Sequence, residues 1–237
     1  MSGNPAQLRV IVFDLDDTLY PERDYVQSGF EAVARAFEAE LRPTFDLATR
    51  MKQVFESGDR SRVFDSILGD LHRPPDPALI QRMVDVYRNH QPRIRLFADA
   101  DAALDRLASR FKLALLSDGY LAAQRRKVDA LGLAQRLDSI VLTDELGRDY
   151  WKPDPRAFQR LAADLQLCGP QCAYVADNRS KDFVAPNQLG WRSVMVCRPG
   201  ALYADWPAPA GGQPQFVIDS LNRLPESLAS AGPSRPQ

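Results

Sequence analysis

The rhythm of hydrophobic and polar positions changes along the chain, and each rhythm predicts a different element. Val10-Ile11-Val12-Phe13 is apolar without alternation and stops abruptly at Asp14, Asp16 and Asp17. Such a run predicts a strand buried on both faces, in the middle of a parallel sheet. Residues 23 to 40 then carry Val26, Phe30, Val33, Ala34 and Phe37 at three-four spacing, the mark of a helix. Further helical patterns run over about 46–57, 61–69 and 77–89, broken at Arg42-Pro43, Ser57-Gly58-Asp59 and Arg73-Pro74-Pro75. No strand pattern lies between Leu19 and Arg95. The block therefore reads as an all-helical insertion, with Leu96 to Ala98 returning the chain to the core.

From there strands and helices alternate. Asp99 reads as a helix start, followed by Ala102, Ala103, Leu104 and Leu107. Phe111 to Leu116 predicts a second buried strand, ending at Ser117-Asp118-Gly119. A helix over about 121–131 closes at Gly132, and Ser139 to Leu142 predicts a short strand. A polar loop, Asp144 to Trp151, leads into Lys152-Pro153-Asp154-Pro155, where Pro155 suits a first helical turn. Cys172 to Ala176 predicts a strand ending at Asp177, and Ser180 to Gln188 a short helix stopped by Gly190. Strands follow at Ser193 to Cys197 and Gln215 to Ile218, after an irregular link over 206–215. Alternation of this kind implies crossover connections and a parallel sheet. The expected division is an α/β core of residues 1–20 and 96–225, a helical insertion of 21–95 and a flexible tail of 226–237.

The polar residues with chemical potential recur just after a buried strand. Asp14 and Asp16 follow the first, Ser117 the second and Asp177 with Asp182 a later one, and Lys152 follows a strand after a longer loop. Parallel strands end on one side, so these residues converge, where open α/β sheets hold their ligands. Asp14 and Asp16 point the same way in extended chain. Two adjacent carboxylates are best tolerated around a cation or with one protonated. Each group also has a plainer reading: Ser117 as a helix cap, Lys152 as a solvated charge, Asp177 and Asp182 as helix-terminal acids. The order and context of all four together are hard to obtain by chance.

Composition narrows the classes. The 237 residues are 45% hydrophobic and 26% charged, an ordinary globular balance. A net charge of −1 offers no global field for nucleic acid or acidic membrane. Cys168, Cys172 and Cys197 are too few and too odd in number for a disulfide framework, which points to a reducing compartment. Cys168 and Cys172 lack a second Cys/His pair at metal-site spacing, so they read as packing residues. Met1 to Gln7 has neither a charged start nor a long apolar stretch, so no signal peptide is expected. No run approaches membrane-spanning length, and a cytoplasmic location is the expectation.

The first stretch, Asp14-x-Asp16-x-Thr18, resembles motif I of the haloacid dehalogenase-like (HAD) hydrolase superfamily. Ser117 is similar to its motif II and Lys152, within Trp-Lys-Pro-Asp-Pro, to motif III. Asp177-Asn178-Arg179-Ser180-Lys181-Asp182 is similar to motif IV. The helical insertion falls where the superfamily's C1 cap is found, and the resemblance spans about residues 8 to 200. It implies a Rossmann-like three-layer core with a parallel sheet, plus a C1 cap after the first strand. Ala176 departs from a frequent Gly, and Ser117-Asp118-Gly119 from a frequent Thr-Asn-Gly.

The resemblance implies a Mg²⁺-dependent phosphatase of a small phosphorylated metabolite, a sugar phosphate or a nucleoside monophosphate. Asp14 is then the nucleophile and Asp16 the general acid/base, oriented by Thr18. Asp16 would start protonated, which needs a raised pKa among so many carboxylates. Mg²⁺ would take a carboxylate oxygen of Asp14, the backbone C=O of Asp16 and Asp177, with Asp182 supporting a metal-bound water or Lys152. Lys152 would sit between Asp14 and the phosphoryl oxygens. Ser117, with backbone N–H groups such as those of Asp118 and Gly119, would bind the remaining oxygens.

The cap would exclude bulk water and position the leaving group. Arg23, Tyr25, Arg60 and Arg62 stand near its expected open ends and loops, although arginines at helix ends are usually solvated. Other activities on such a scaffold are phosphomutase and haloacid dehalogenase chemistry, the latter metal-free and without the Asp two residues after the nucleophile. A non-catalytic binding protein is the remaining class. The partner expected is a small phosphate ester, with no nucleic acid and no membrane; the sequence leaves the oligomeric state open.

Overall fold

In the computed structural model, which describes residues 7–57, 59–203 and 205–229, the chain begins its ordered pattern with β1 (Val10–Phe13). Four helices follow: α1 (Glu22–Leu41), α2 (Leu47–Ser57), α3 (Val63–Asp70) and α4 (Pro77–Asn89). Then come α5 (Ala98–Ala108), β2 (Lys112–Ser117), α6 (Leu121–Ala130), β3 (Ser139–Leu142) and α7 (Arg156–Asp164). The chain continues through β4 (Cys172–Ala176), α8 (Val184–Gln188), β5 (Arg192–Val196), β6 (Phe216–Ile218) and α9 (Leu224–Ala229). It divides into two compact units, one of residues 1–22 and 95–237, the other of residues 23–94.

The first unit is a six-stranded sheet in the order β3-β2-β1-β4-β5-β6, with every pairing parallel. β1 lies between β2 and β4 and is buried on both faces, as its unbroken apolar run predicts. Val10, Val12, Leu116, Tyr174 and Met195 line one face with Phe158 and Leu161 of α7. Phe158 meets Tyr174 and Trp191 edge-on, at centroid distances of 4.9 and 5.5 Å. On the other face Ile11, Phe13, Leu113, Leu115 and Val175 are equally buried. The register sets Phe13 beside Leu115 and Val175. Asp14, Ser117 and Asp177 therefore leave the sheet within one residue of the same level. The parallel strands and the helical insertion between β1 and β2 are the architecture the sequence predicts; the strand order is set by the structure.

The second unit has its own apolar core. Val26, Phe30, Val33 and Phe37 of α1 pack with Met51, Ile67, Leu79 and Met83. Asp76 caps α4, accepting the Leu79 N–H at 3.0 Å, with Pro77 in the first turn. The Tyr25 hydroxyl donates to Tyr87 O at 3.4 Å, and Arg62 pairs with Asp65 at 3.5 Å. Arg23 meets Glu56 at 3.4 Å, and Arg60 lies over the Phe55 ring. Gly58, part of an expected break, lies outside the described residues.

The helix start expected at Asp99 is that of α5, in whose first turn Asp99 lies; its carboxylate accepts the Ser220 hydroxyl and Leu221 N–H and pairs with Arg198. Two local expectations need correction. The helix expected from Ser180 begins only at Val184. Asn178 Oδ1 accepts the Ser180 N–H and hydroxyl, and Asp182 Oδ2 accepts the Asn178 N–H, which holds 178–182 as a turn. Residues 226–229 of the expected tail belong instead to α9, and Leu228 O accepts from Arg192. Residues 230–237 of that tail lie outside the described residues. No helix among the described residues is long and apolar enough to cross a membrane.

Candidate active site

Asp14 continues the β1 ladder by donating its N–H to Val175 O at 2.9 Å, which points its carboxylate out of the sheet's carboxyl end. Lys152 arrives there from the loop after β3, its side chain wholly buried. Its Nζ lies 2.6 Å from Asp14 Oδ1, 2.8 Å from Asp182 Oδ1 and 3.0 Å from the Tyr174 hydroxyl. The Tyr174 hydroxyl in turn donates to Leu116 O at 3.3 Å. Burial alone would push the ammonium's pKa down, but Asp14 and Asp182 outweigh it and hold Lys152 firmly protonated.

Asp14, Asp177 and Asp182 gather around one point. One carboxylate oxygen from each lies within 4.8 Å of the others, and all three residues are buried. This is the one such group of potential ligands among the described residues. Asp177 Oδ2 has no hydrogen-bond partner, and Asp182 Oδ1 has only the Lys152 charge contact. Burial, opposed by Lys152, raises the Asp14 pKa to about 6. Burial, with Asp182 and Asp14 nearby, raises Asp177 well above the usual range. The partnerless buried oxygen of Asp177, with two further carboxylates gathered about the same point, fits a hard divalent cation.

Asp16 is a different case. Its carboxylate is clamped by α6 and by the motif I loop itself. Lys127 Nζ lies 2.7 Å from Oδ1, Gln124 Nε2 donates to Oδ2 at 3.1 Å, and the Tyr20 hydroxyl donates to Oδ1. Burial pushes its pKa up, but Lys127, Tyr20 and Gln124 together bring it below the ordinary value. The raised pKa expected from neighbouring carboxylates is therefore absent, because the nearest charge to Asp16 is a lysine. Thr18 does not orient Asp16 either: its hydroxyl donates to Asp177 Oδ1 at 3.4 Å.

The motif I loop is held in place from outside. Asp17, at φ +50°, accepts the Glu22 N–H and the Leu202 N–H, both at 2.8 Å. Arg198 donates to Thr18 O at 2.9 and 3.2 Å while paired with Asp99. Ser117 ends β2 fully buried, its hydroxyl accepting from Gln124 at 2.9 Å. Gly119 takes φ +133°, a conformation open to glycine, and the side chain of Gln124 fills the space a Cβ would need. The Asp118 carboxylate accepts the Lys152 backbone N–H at 3.2 Å and the Thr143 hydroxyl at 2.8 Å, with Lys181 at 3.5 Å. Asp118 thereby ties the Ser117 turn to the lysine loop.

Asp14, Asp16, Thr18, Ser117, Asp118, Gly119, Lys152, Asp177 and Asp182 all meet at this end of the sheet, whereas Arg23, Tyr25, Arg60 and Arg62 belong to the second unit. Sequence reasoning missed Tyr20, Gln124, Lys127, Thr143, Tyr174 and Arg198. One signal was available: Gln124 and Lys127 lie on the buried stripe of α6 with Ala123 and Val128. Polar groups on such a stripe need partners. Trp151 is half-buried, edge-on to Tyr120.

The site is thus a buried aspartate–lysine pair within a three-carboxylate cluster at the carboxyl end of a parallel α/β core. The chain belongs to the haloacid dehalogenase-like hydrolase family, whose model matches residues 8–190. Glyceraldehyde 3-phosphate phosphatase of Methanopyrus kandleri is 27% identical over 226 residues, covering 92% of this chain and 95% of that one. Among solved structures, the 2-haloacid dehalogenase of Pseudomonas syringae is 25% identical with a TM-score of 0.64, covering 94% and 99% of the two chains. The HAD-hydrolase YfnB of Bacillus subtilis, solved bound to magnesium, has a TM-score of 0.67 at 16% identity, covering 95% and 100%.

Proposed function

We propose that the protein is a Mg²⁺-dependent phosphatase that hydrolyses a small phosphorylated metabolite, of the sugar-phosphate or nucleoside-monophosphate class, through an aspartyl-phosphate on Asp14. The observation that carries this reading is the buried cluster of Asp14, Asp177 and Asp182, with Asp177 Oδ2 lacking a partner, beside the Asp14–Lys152 pair. The likeness to a glyceraldehyde 3-phosphate phosphatase supports the substrate class. Residues 1–20 and 96–225 are the catalytic core in this reading, and 21–95 the cap.

Asp14, Asp177 and the backbone C=O of Asp16 would hold the cation, with Asp182 supporting. When bound, it supplies the positive charge that lets a carboxylate approach an anionic ester. Lys152 neutralises Asp14 on the other side and orders its carboxylate for in-line attack. The P–O bond to Asp14 forms as the bond to the leaving oxygen breaks. Ser117 and the N–H groups of Asp118 and Gly119 hold the phosphoryl oxygens. Asp16, kept as a carboxylate, is suited to take a proton from the water that opens the acyl phosphate. To protonate the leaving oxygen it must first gain a proton, which a substrate entering as the monoanion can bring. Thr18 steadies Asp177.

The likeness to a 2-haloacid dehalogenase favours a second reading, displacement of halide from carbon by Asp14. That reaction uses neither the partnerless Asp177 oxygen nor Asp16, so the phosphatase reading accounts for more of the site. A phosphate-release screen over sugar phosphates and nucleotides, with Mg²⁺ and with chelator, separates them. Turnover should require Mg²⁺ and vanish in Asp14→Asn. Chelator-resistant halide release from 2-haloacids, with no phosphate release, would replace this reading with the second.

A further inference from the structure

We propose that Gln124 and Lys127, one turn apart on α6, are positioning residues that lock the Asp16 carboxylate in its reacting orientation and tie it to the phosphate-binding turn. This rests on the phosphatase reading and deepens it.

A carboxylate at the end of a strand can rotate, and its proton transfer depends on where its oxygens point. Two donors from one rigid helix remove that freedom. Lys127 Nζ reaches Oδ1 at 2.7 Å and Gln124 Nε2 reaches Oδ2 at 3.1 Å, so each oxygen is addressed separately. Tyr20 adds a third donor, to Oδ1. The same Gln124 amide nitrogen also lies 2.9 Å from Ser117 Oγ and beside Asp118 O, so its two hydrogens are shared among three acceptors. One side chain thus gauges the distance between the Asp16 carboxylate and the turn that holds the phosphoryl group.

The placement is not explained by packing. Lys127 and Gln124 are nearly inaccessible, at 5% and 1% exposure, on a stripe where an apolar residue would be cheaper to bury. A lysine held there serves the carboxylate it faces. Neither residue belongs to the four strand-end motifs.

Asp16, a carboxylate at rest, takes a proton from a substrate entering as the monoanion and passes it to the leaving oxygen as the P–O bond breaks. The need for that proton is great for an alkoxide and small for 4-nitrophenolate. The test is therefore kcat/KM, which reports events up to bond cleavage, for a sugar phosphate and for 4-nitrophenyl phosphate. Lys127→Met, Lys127→Arg and Gln124→Met are compared with the parent enzyme. Misplacing a general acid should cost Lys127→Met about 100-fold on the sugar phosphate and under about 5-fold on the nitrophenyl ester. Lys127→Arg should recover most of the loss. If Lys127→Met does not fold, Gln124→Met gives the same contrast with about a 10-fold loss on the sugar phosphate. Equal losses on both esters, or none on either, would overturn the positioning role and leave the phosphatase reading intact. Parent enzyme that releases no phosphate from any ester would overturn both.

Discussion

Lys152 Nζ lies 2.6 Å from Asp14 Oδ1, and the lysine side chain has no exposed surface. A buried ammonium is tolerable only against paired charge, and Asp14, Asp182 and the Tyr174 hydroxyl provide the surroundings. The contact therefore binds two loops together as well as ordering Asp14, the proposed nucleophile. Lys152→Met should destabilise the fold by about 3–5 kcal/mol, because it strands buried carboxylates. Urea unfolding measures this. Phosphate release should fall at least about 100-fold, as for loss of a transition-state donor.

The pH dependence of stability follows from Asp14 and Asp177. In the metal-free protein the Asp14 pKa rises from the ordinary 3.8 to about 6, and that of Asp177 is raised well above the ordinary value. The folded state then holds protons that the unfolded state releases. Stability from these groups is fully present below the unfolded pKa and is lost as pH rises through the folded one. Chelated protein should melt at a lower temperature at pH 7 than at pH 5. Mg²⁺ should raise the melting temperature more at pH 7 than at pH 5, since the ion competes with those protons. A melting temperature indifferent to Mg²⁺ at both pH values would contradict the cation site.

Thr18 offers a separable probe of the cation. Its hydroxyl is 3.4 Å from Asp177 Oδ1. Thr18→Val keeps the shape and removes the donor. Support of a metal ligand of this kind is worth about 10-fold or more in affinity. The Mg²⁺ concentration giving half-maximal activity should rise by about that factor, with turnover at saturating Mg²⁺ changed less.

Asp118 should matter through Lys152. It accepts the Lys152 N–H at 3.2 Å and the Thr143 hydroxyl at 2.8 Å. Asp118→Ala leaves the buried Lys152 N–H unpaired and the Thr143 hydroxyl with only its 3.3 Å contact to Ser117 O, at a cost of about 1–3 kcal/mol. A small displacement of Lys152 should lower kcat/KM about 10- to 100-fold. Steady-state kinetics beside thermal melting separates the two effects.

Much of this site was readable in one dimension because its groups sit where strands end. Val10 to Phe13 is apolar throughout and stops at Asp14, and the same punctuation recurs at Ser117 and at Asp177. A parallel sheet turns that recurrence into proximity. Gln124 and Lys127 carry no such punctuation. They stand within a helix, and only the packing of α6 against the motif I loop gives them their partner.

The order of apolar runs and turns thus settled by itself the parallel sheet, the helical insertion and the convergence of Asp14, Ser117, Lys152 and Asp177. These follow from local periodicity and from the shared direction of the strands, which brings their carboxyl ends to one side of the sheet. Only the tertiary structure decided which charge each acid faces: Asp16 meets Lys127 and is held ionised, whereas Asp177 meets Asp14 and Asp182 and resists ionisation. Ionisation depends on through-space distance and burial, which sequence separation does not encode.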